Sequence, residues 1–270
     1  MDRFVTRTQK RKVDPTGVKG KDAGSGSGQG ERNTEDEGGL EKRLQSCSGL
    51  VEDDTEVTKP LPWKKIEAEG LDCDYTLLFN RLQADSHFQQ LEKEVEYLSG
   101  DLAKVQVFGK FHNIPRKQAT YGDPGLNYSF SGVKLMARPW TPVLEIIRDQ
   151  ITEATGHTFN FVLVNRYKDG NDHIGEHQDD ERELDPACPI AAVSFGAVRD
   201  LVFRHQEARG KNAARKIEPV KVALQHGSLL LMNWPTNVNW YHSLPVRKKV
   251  LTPRISLTFR RVIKRYKTQK

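Results

Sequence analysis

The sequence predicts an α+β fold, an antiparallel sandwich or jelly roll carrying helices on one side. Three observations predict it. Two helical patterns come first, five short β-rich runs follow, and turn signals separate those runs. In the first helical pattern Ser86 with Gln89 resembles a capping box. Phe88, Leu91, Val95 and Leu98 follow at helical spacing, and Gly100 ends the run. The second starts at Thr141 with Pro142 in its first turn. Val143, Leu144, Ile147 and Ile151 face inward and Gly156 closes it. The expected strands are 159–167, 190–195, 200–204, 228–233 and 254–262, with turns such as Lys168-Asp169-Gly170-Asn171-Asp172 between them.

Of the 270 residues, 36% are hydrophobic and 29% charged, with a formal net charge of +6. The charge is uneven. Residues 1–60 carry 11 Lys+Arg against 12 Asp+Glu, 9 of the 21 glycines and one aromatic, Phe4. Such a segment buries too little apolar surface to offset its ordering entropy, so a disordered tail is expected over 1–60. Residues 61–270 carry 31 Lys+Arg against 24 Asp+Glu, a net +7, and form one expected domain. Residues 247–270 hold ten Lys+Arg and no acid, which suits a polyanionic partner or a solvated tail. No run approaches the roughly 18 apolar residues of a spanning helix, so no membrane association is expected. Met1-Asp2-Arg3-Phe4 lacks the start of a secretory signal, and Cys47, Cys73 and Cys188 form neither a zinc spacing nor a disulfide framework.

The chemistry begins at His173-Ile174-Gly175-Glu176-His177-Gln178-Asp179-Asp180. Its first five residues match H-x-x-E-H, a zinc-peptidase signature that requires a helix. A turn precedes it and Gly175 sits inside it, both adverse to a helix. The other reading is the H-x-D of His177-Gln178-Asp179. On a strand, i and i+2 point the same way, so an imidazole and a carboxylate would share a point. A distant histidine would complete a 2-His-1-carboxylate facial triad for Fe(II). Of the candidates, His205 lies in a basic stretch, His226 precedes Gly227 in a turn, and His242 ends an aromatic run. Twelve residues beyond His242 begins Arg254-Ile255-Ser256-Leu257-Thr258-Phe259-Arg260, in strict alternation. Its polar face is either solvent-exposed or a site where Arg254 and Arg260 grip a small dicarboxylate, for which guanidinium is suited.

The order H-x-D, distant His, then an Arg pair resembles the AlkB family of Fe(II)/2-oxoglutarate-dependent nucleic-acid dioxygenases, with the densest matches at 105–131, 160–183 and 239–260. The resemblance implies a double-stranded β-helix (jelly-roll) core with flanking helices. It implies His177, Asp179 and His242 as catalytic iron ligands, and O2 and 2-oxoglutarate as co-substrates. Asn165, Tyr167, Arg254, Thr258 and Arg260 would hold 2-oxoglutarate. Ser256 departs from the family's Arg-x-Asn-x-Thr-x-Arg pattern, with a hydroxyl in place of an amide.

On the substrate side, strand alternation over Val105–Lys110 puts Phe108 on the polar face beside Gly109, where it could act as a wedge filling an emptied base stack. The resemblance implies an intercalating finger at Val107-Phe108-Gly109, with Lys110 next to it, and a base-stacking pocket at Tyr128-Ser129-Phe130-Ser131. Asp180 and Glu181 resemble acidic residues that pair with a cationic alkylated base. Two basic clusters, Arg204, Arg209, Lys211, Arg215, Lys216 and Arg247, Lys248, Lys249, are candidates for phosphate contact. Arg3-Phe4-Val5-Thr6-Arg7 resembles a peptide that docks on the replication sliding clamp, with Thr6 off-pattern, and Lys10-Arg11-Lys12 is a candidate nuclear-import signal. The expectation is a monomeric nuclear DNA-repair enzyme that oxidatively removes alkyl groups from 1-methyladenine, 3-methylcytosine and etheno adducts in double-stranded DNA. Its products would be succinate, CO2 and an aldehyde. The alternatives are a zinc peptidase through His173 and His177, or a non-catalytic DNA-binding module.

Overall fold

A computed structural model describes residues 60–263, apart from Phe108, Ser131, Gly132, Arg182 and Asn212; at 106–107, 127–130 and 133–135 it describes the backbone alone. The tail expected over 1–60 lies outside the described residues but for Pro60. In chain order the elements are β1 (Lys64–Ala68), β2 (Leu71–Leu77), α1 (Arg81–Glu94), β3 (Lys104–Val107), β4 (Lys110–Asn113), β5 (Lys117–Gly122), β6 (Asn127–Phe130), β7 (Val133–Met136), α2 (Pro142–Thr155), β8 (Phe161–Tyr167), β9 (Ile174–His177), β10 (Ile190–Gly196), β11 (Arg199–His205), β12 (Val220–Leu224), β13 (Ser228–Met232), a one-turn α3 (Thr236–Asn239), β14 (Trp240–Leu244) and β15 (Arg254–Arg260).

The strands form a seven-stranded sheet, β1-β2-β13-β10-β15-β8-β5, and a four-stranded sheet, β12-β11-β14-β9, with two hairpins, β3-β4 and β6-β7. Every ladder within the sheets is antiparallel. Period-2 alternation divides the side chains of the large sheet between two cores. Val162 and Val164 of β8, Val193 and Phe195 of β10, Leu229 and Leu231 of β13, and Ile255, Leu257 and Phe259 of β15 pack against Leu91 of α1 and Val143, Leu144, Ile147 and Ile151 of α2. The opposite face meets the small sheet through Ala192, Leu230 and Met232 against Leu201, Phe203, Leu224, Trp240 and Leu244. The polar residues of β8 and β15 fall on that second, inter-sheet face. This is a jelly-roll core with both long helices on one side.

The second expected helix is α2, with Thr141 at its N-cap, Pro142 in its first turn and Gly156 left-handed at φ 73°. The first differs. Its capping box is Asn80 with Gln83, not Ser86 with Gln89: the Gln83 N–H donates to Asn80 Oδ1 at 3.0 Å, and the Asn80 N–H donates to Gln83 Oε1 at 3.0 Å. The buried stripe is Ala84, His87 and Leu91, and the helix closes at Val95 rather than Gly100. Beyond it the chain is extended, and the Leu98 N–H donates to Gln118 at 2.7 Å. Nor do helices simply precede strands. β1 and β2 open the described chain and join the large sheet through β13, a long-range pairing with no local signature. Among the described residues, no helix is long and apolar enough to cross a membrane.

Two loops near the inter-sheet site are locked together. The Arg247 N–H donates to Gly170 at 2.7 Å and the Gly170 N–H to Val250 at 2.7 Å. A Cβ on Gly170 would lie 1.7 Å from the Arg247 carbonyl oxygen. Gly170→Ala is therefore expected to push the 247–250 loop away and cost about 1–3 kcal/mol, read as a lowered melting temperature.

Candidate metal centre and co-substrate pocket

β9 and β14 are neighbours, and His177 sits directly opposite His242. Their rings are 4.2 Å apart between centroids. Asp179 follows two residues after His177, and one ligand atom from each of the three residues lies within 4.8 Å of the others. Asp179 is not on the strand as the H-x-D pattern suggested, because β9 ends at His177. A segment beyond the strand brings the carboxylate back to the imidazoles.

The electrostatics suit a divalent cation. His177 Nδ1 lies 3.0 Å from the Gly175 carbonyl. A carbonyl only accepts, so Nδ1 carries a proton, and Nε2 is the nitrogen turned toward Asp179, at 3.8 Å. Burial, and then the His177 imidazole, push His242 down to about 3, so it is neutral and able to ligate at neutral pH. Burial pushes the Asp179 carboxyl up, but Arg260, His242 and His177 outweigh it and hold the group at about 2. Arg260 stands 2.8 Å from Asp179, and both side chains are 3% exposed. Two imidazoles and one carboxylate in a facing cluster fit the 2-His-1-carboxylate donor set.

The same inter-sheet cavity is lined by Asn165, Tyr167, Arg254, Ser256, Thr258 and Arg260. The polar face of β15 is thus buried, not solvent-exposed: Arg254, Ser256 and Arg260 are 2, 8 and 3% exposed. Arg254 lies 2.8 Å from Ser194 Oγ and 3.3 Å from Ser256 Oγ, its guanidinium 5.4 Å from the Tyr167 ring centroid. Burial pushes it down to about 10, so it keeps its charge at neutral pH. Its Nε has no hydrogen-bond partner among the described residues. A buried cation with an unsatisfied donor fits an incoming carboxylate. Asn165 Oδ1 accepts from Arg116 at 2.8 Å and from Gln118 at 3.0 Å. Its amide nitrogen is therefore the atom able to donate to a co-substrate. Sequence reasoning missed Arg116, Gln118 and Ser194, whose partners are 49, 47 and 60 residues away.

His173 is outside the cluster; its Nδ1 lies 3.0 Å from the Asn171 carbonyl. The H-x-x-E-H stretch runs into β9 and is not helical, and four strand residues span roughly 13 Å, too far for one zinc ion. His205 and His226 are also elsewhere. His205 Nδ1 accepts from the Glu207 N–H, and His226 Nδ1 accepts from the Gly196 N–H.

A larger cavity, of about 410 Å³, reaches Asp179 and Arg260 and is bounded by Asp180, Glu181, Trp234 and Val238. Val107 and Lys110 pair across the two-residue end of the β3-β4 hairpin, with Gly109 left-handed at φ 78°. Lys110 is exposed, and Phe111 is 67% exposed. Phe108 and Ser131 lie outside the described residues, and Tyr128, Ser129 and Phe130 contribute the backbone of β6. Of the basic residues, Arg204 and Arg209 both bind Glu176, at 2.9 and 2.8 Å, and Arg209 stacks 3.5 Å from the Tyr241 ring centroid. Arg215 pairs with Glu69 and Glu207, and Arg247 with Asp200 at 3.2 Å. Lys216, Lys248 and Lys249 are exposed. The first cluster is thus less positive than its sequence suggests, because Glu176 of β9, Glu69 of the β1-β2 turn and Glu207 pair with its arginines.

Residues 75–260 match the 2OG-Fe(II) oxygenase superfamily. The chain is 66% identical over 201 residues to the DNA oxidative demethylase ALKBH2 of Homo sapiens, covering 74% of this chain and 77% of that protein. It is 39% identical over 192 residues to the human alpha-ketoglutarate-dependent dioxygenase alkB homolog 3, covering 70% and 65%. With the Arabidopsis thaliana DNA oxidative demethylase ALKBH2 it shares 30% identity over 245 residues, covering 83% and 77%. The solved structure of OsALKBH1 superposes with a TM-score of 0.51 at 15% identity over 74% of this chain and 100% of that one, a likeness of fold. With a facial His-Asp-His cluster and a buried arginine in one jelly-roll cavity, the chain belongs to the 2OG-Fe(II) oxygenase superfamily and, within it, to the AlkB family.

Proposed function

We propose that this enzyme is a DNA oxidative demethylase acting on alkylated base nitrogens in duplex DNA. The carrying observation is the single cavity in which His177, Asp179 and His242 face Arg254 and Asn165. Identity of 66% to proteins named DNA oxidative demethylase supports the DNA substrate.

In this reading His177 Nε2, Asp179 and His242 hold Fe(II), and Arg254, Asn165, Tyr167, Thr258 and Arg260 hold 2-oxoglutarate. Together with O2, the bound metal and co-substrate supply the oxidising power that converts an N-alkyl group to an aldehyde, with succinate and CO2 as the other products. The protein's own part is binding and aim. The Gly175 carbonyl fixes the His177 ring by accepting a hydrogen bond from Nδ1–H. Arg260 balances the charge of Asp179. Arg254 offers a carboxylate a guanidinium already oriented by Ser194 and Ser256. Ser256 keeps the arginine in place through its hydroxyl, a role that needs no amide. Asp180 and Glu181 border the larger cavity beside the cluster, where a cationic alkylated base would be matched in charge.

Phe108, next after β3 in the sequence, is proposed as the wedge, and Tyr128–Ser131 as a wall of the base pocket. Phe108→Ala is expected to cut turnover of methylated duplex by about tenfold or more and to leave single-stranded turnover nearly unchanged, because only a duplex needs its stack filled. Equal losses on both substrates would remove that role. Lys110, Lys211, Lys248 and Lys249 are proposed phosphate contacts, as are Arg204, Arg209 and Arg247, whose acidic partners would be exchanged for phosphate. A DNA substrate puts the enzyme in a DNA-containing compartment, and the nucleus is proposed. Docking of Arg3–Arg7 on the sliding clamp and a monomeric state are proposals of the same kind, and Arg3–Arg7 lies outside the described residues.

A further inference from the structure

We propose that Asn237 is a positioning residue for the Asp179 ligand, acting through the ligand's backbone. The proposal rests on the metal-ligand reading of His177, Asp179 and His242. Both imidazoles come from paired strands, so the β9-β14 ladder fixes them. Asp179 lies beyond the end of β9. There its N–H donates to Asn237 Oδ1 at 3.0 Å, and Asn237 Nδ2 donates back to the Asp179 carbonyl. A primary amide presents a donor and an acceptor side by side. One side chain therefore closes the pair of bonds that a neighbouring strand would make. The residue between the ligands is fastened to the same turn, since Gln178 Nε2 donates to the Val238 carbonyl at 2.8 Å.

The turn is itself anchored from its far side. Thr236, 1% exposed, accepts the Asp72 N–H on Oγ1 at 2.8 Å and donates the hydroxyl to the Asp72 carbonyl at 2.8 Å. Asn233 Nδ2 reaches Asp72 at 3.0 Å and Asp74 at 2.6 Å. Hydrogen bonds thus tie β2 to Thr236 and Asp179 to the adjoining Asn237. Removing the Asn237 amide leaves every donor atom of the cluster and the Arg260 partner in place, but frees the backbone that carries the carboxylate.

The test uses the full-length, metal-free protein and Co(II) alone as probe. Affinity is read from its visible absorption, and release from chelator-driven loss of that signal. Asn237→Ala is expected to weaken Co(II) binding and speed its release by about tenfold or more, in the range typical of residues that orient metal ligands, with the circular dichroism of the metal-free protein unchanged. Asn237→Ser, which keeps at most one of the two bonds, falls between. Wild-type affinity and release in Asn237→Ala would overturn the proposal. Should that variant fail to fold, Asn237→Ser decides alone, by the same loss or its absence. Asp179→Ala separates the two levels of inference. If it still binds Co(II) like wild type, the ligand reading itself fails. If it loses Co(II) while the Asn237 variants do not, only the positioning role fails.

Discussion

Asp179→Ala is expected to abolish formaldehyde and succinate release from methylated duplex DNA, with loss of Fe(II) retention. Two effects combine. The metal loses its one anionic donor, and Arg260, 3% exposed, loses its 2.8 Å partner. Breaking a buried pair by removing one member costs about 3–5 kcal/mol, so the melting temperature should fall as well. Asp179→Asn separates the effects: it keeps the shape and an acceptor for Arg260, so it should stay folded and still be inactive. Activity retained in a folded Asp179→Asn protein would contradict the role. The pH dependence of the metal-free protein reports on the same cluster. Asp179 is held at about 2, below its ordinary value of 3.8, and His242 at about 3, below 6.5. Both depressed values mean that the unfolded chain takes up protons first. The contribution of these two groups to stability is therefore full above about pH 6.5 and is lost as pH falls toward 2. Melting scans should show His242→Asn flattening the upper part of that decline.

Arg254→Ala is expected to raise the KM for 2-oxoglutarate by about 30-fold or more, the cost of truncating one member of a buried charge pair, with little change in the KM for DNA. Arg254→Lys should recover part of the loss, because an ammonium keeps the charge but not the planar fork, in which Nη2 alone meets Ser194 and Ser256 and Nε is left for a carboxylate. An unchanged 2-oxoglutarate KM in Arg254→Ala would remove the guanidinium from co-substrate binding.

What could be read from the sequence was what local chemistry encodes. The alternation of β15 told that Ile255, Leu257 and Phe259 face one way and Arg254, Ser256, Thr258 and Arg260 the other, and both faces prove buried against different layers. The α2 boundaries were legible because Pro142 and Gly156 have fixed backbone preferences. The start of α1 was missed because Ser86-x-x-Gln89 and Asn80-x-x-Gln83 carry similar local signals, and contacts of Ala84 and Leu91 with the large sheet decide between them. The three candidate ligands were picked out by spacing together with family resemblance, and the fold brings them within 4.8 Å of one another. Their support was not. Asn237 reaches Asp179 from 58 residues away, and Glu176 reaches Arg204 and Arg209 from 28 and 33. Such partners are set by strand order, which no short stretch of sequence records.

The proposed reaction couples 2-oxoglutarate turnover to removal of a base alkyl group at the His177–Asp179–His242 cluster. The most direct test measures succinate and formaldehyde together on duplex DNA carrying 1-methyladenine, with Fe(II), for wild type, His173→Ala and Asp179→Asn. Equal amounts of both products are expected from wild type and from His173→Ala, and neither from Asp179→Asn. Product formation that persists in Asp179→Asn, or that fails in His173→Ala, would contradict it.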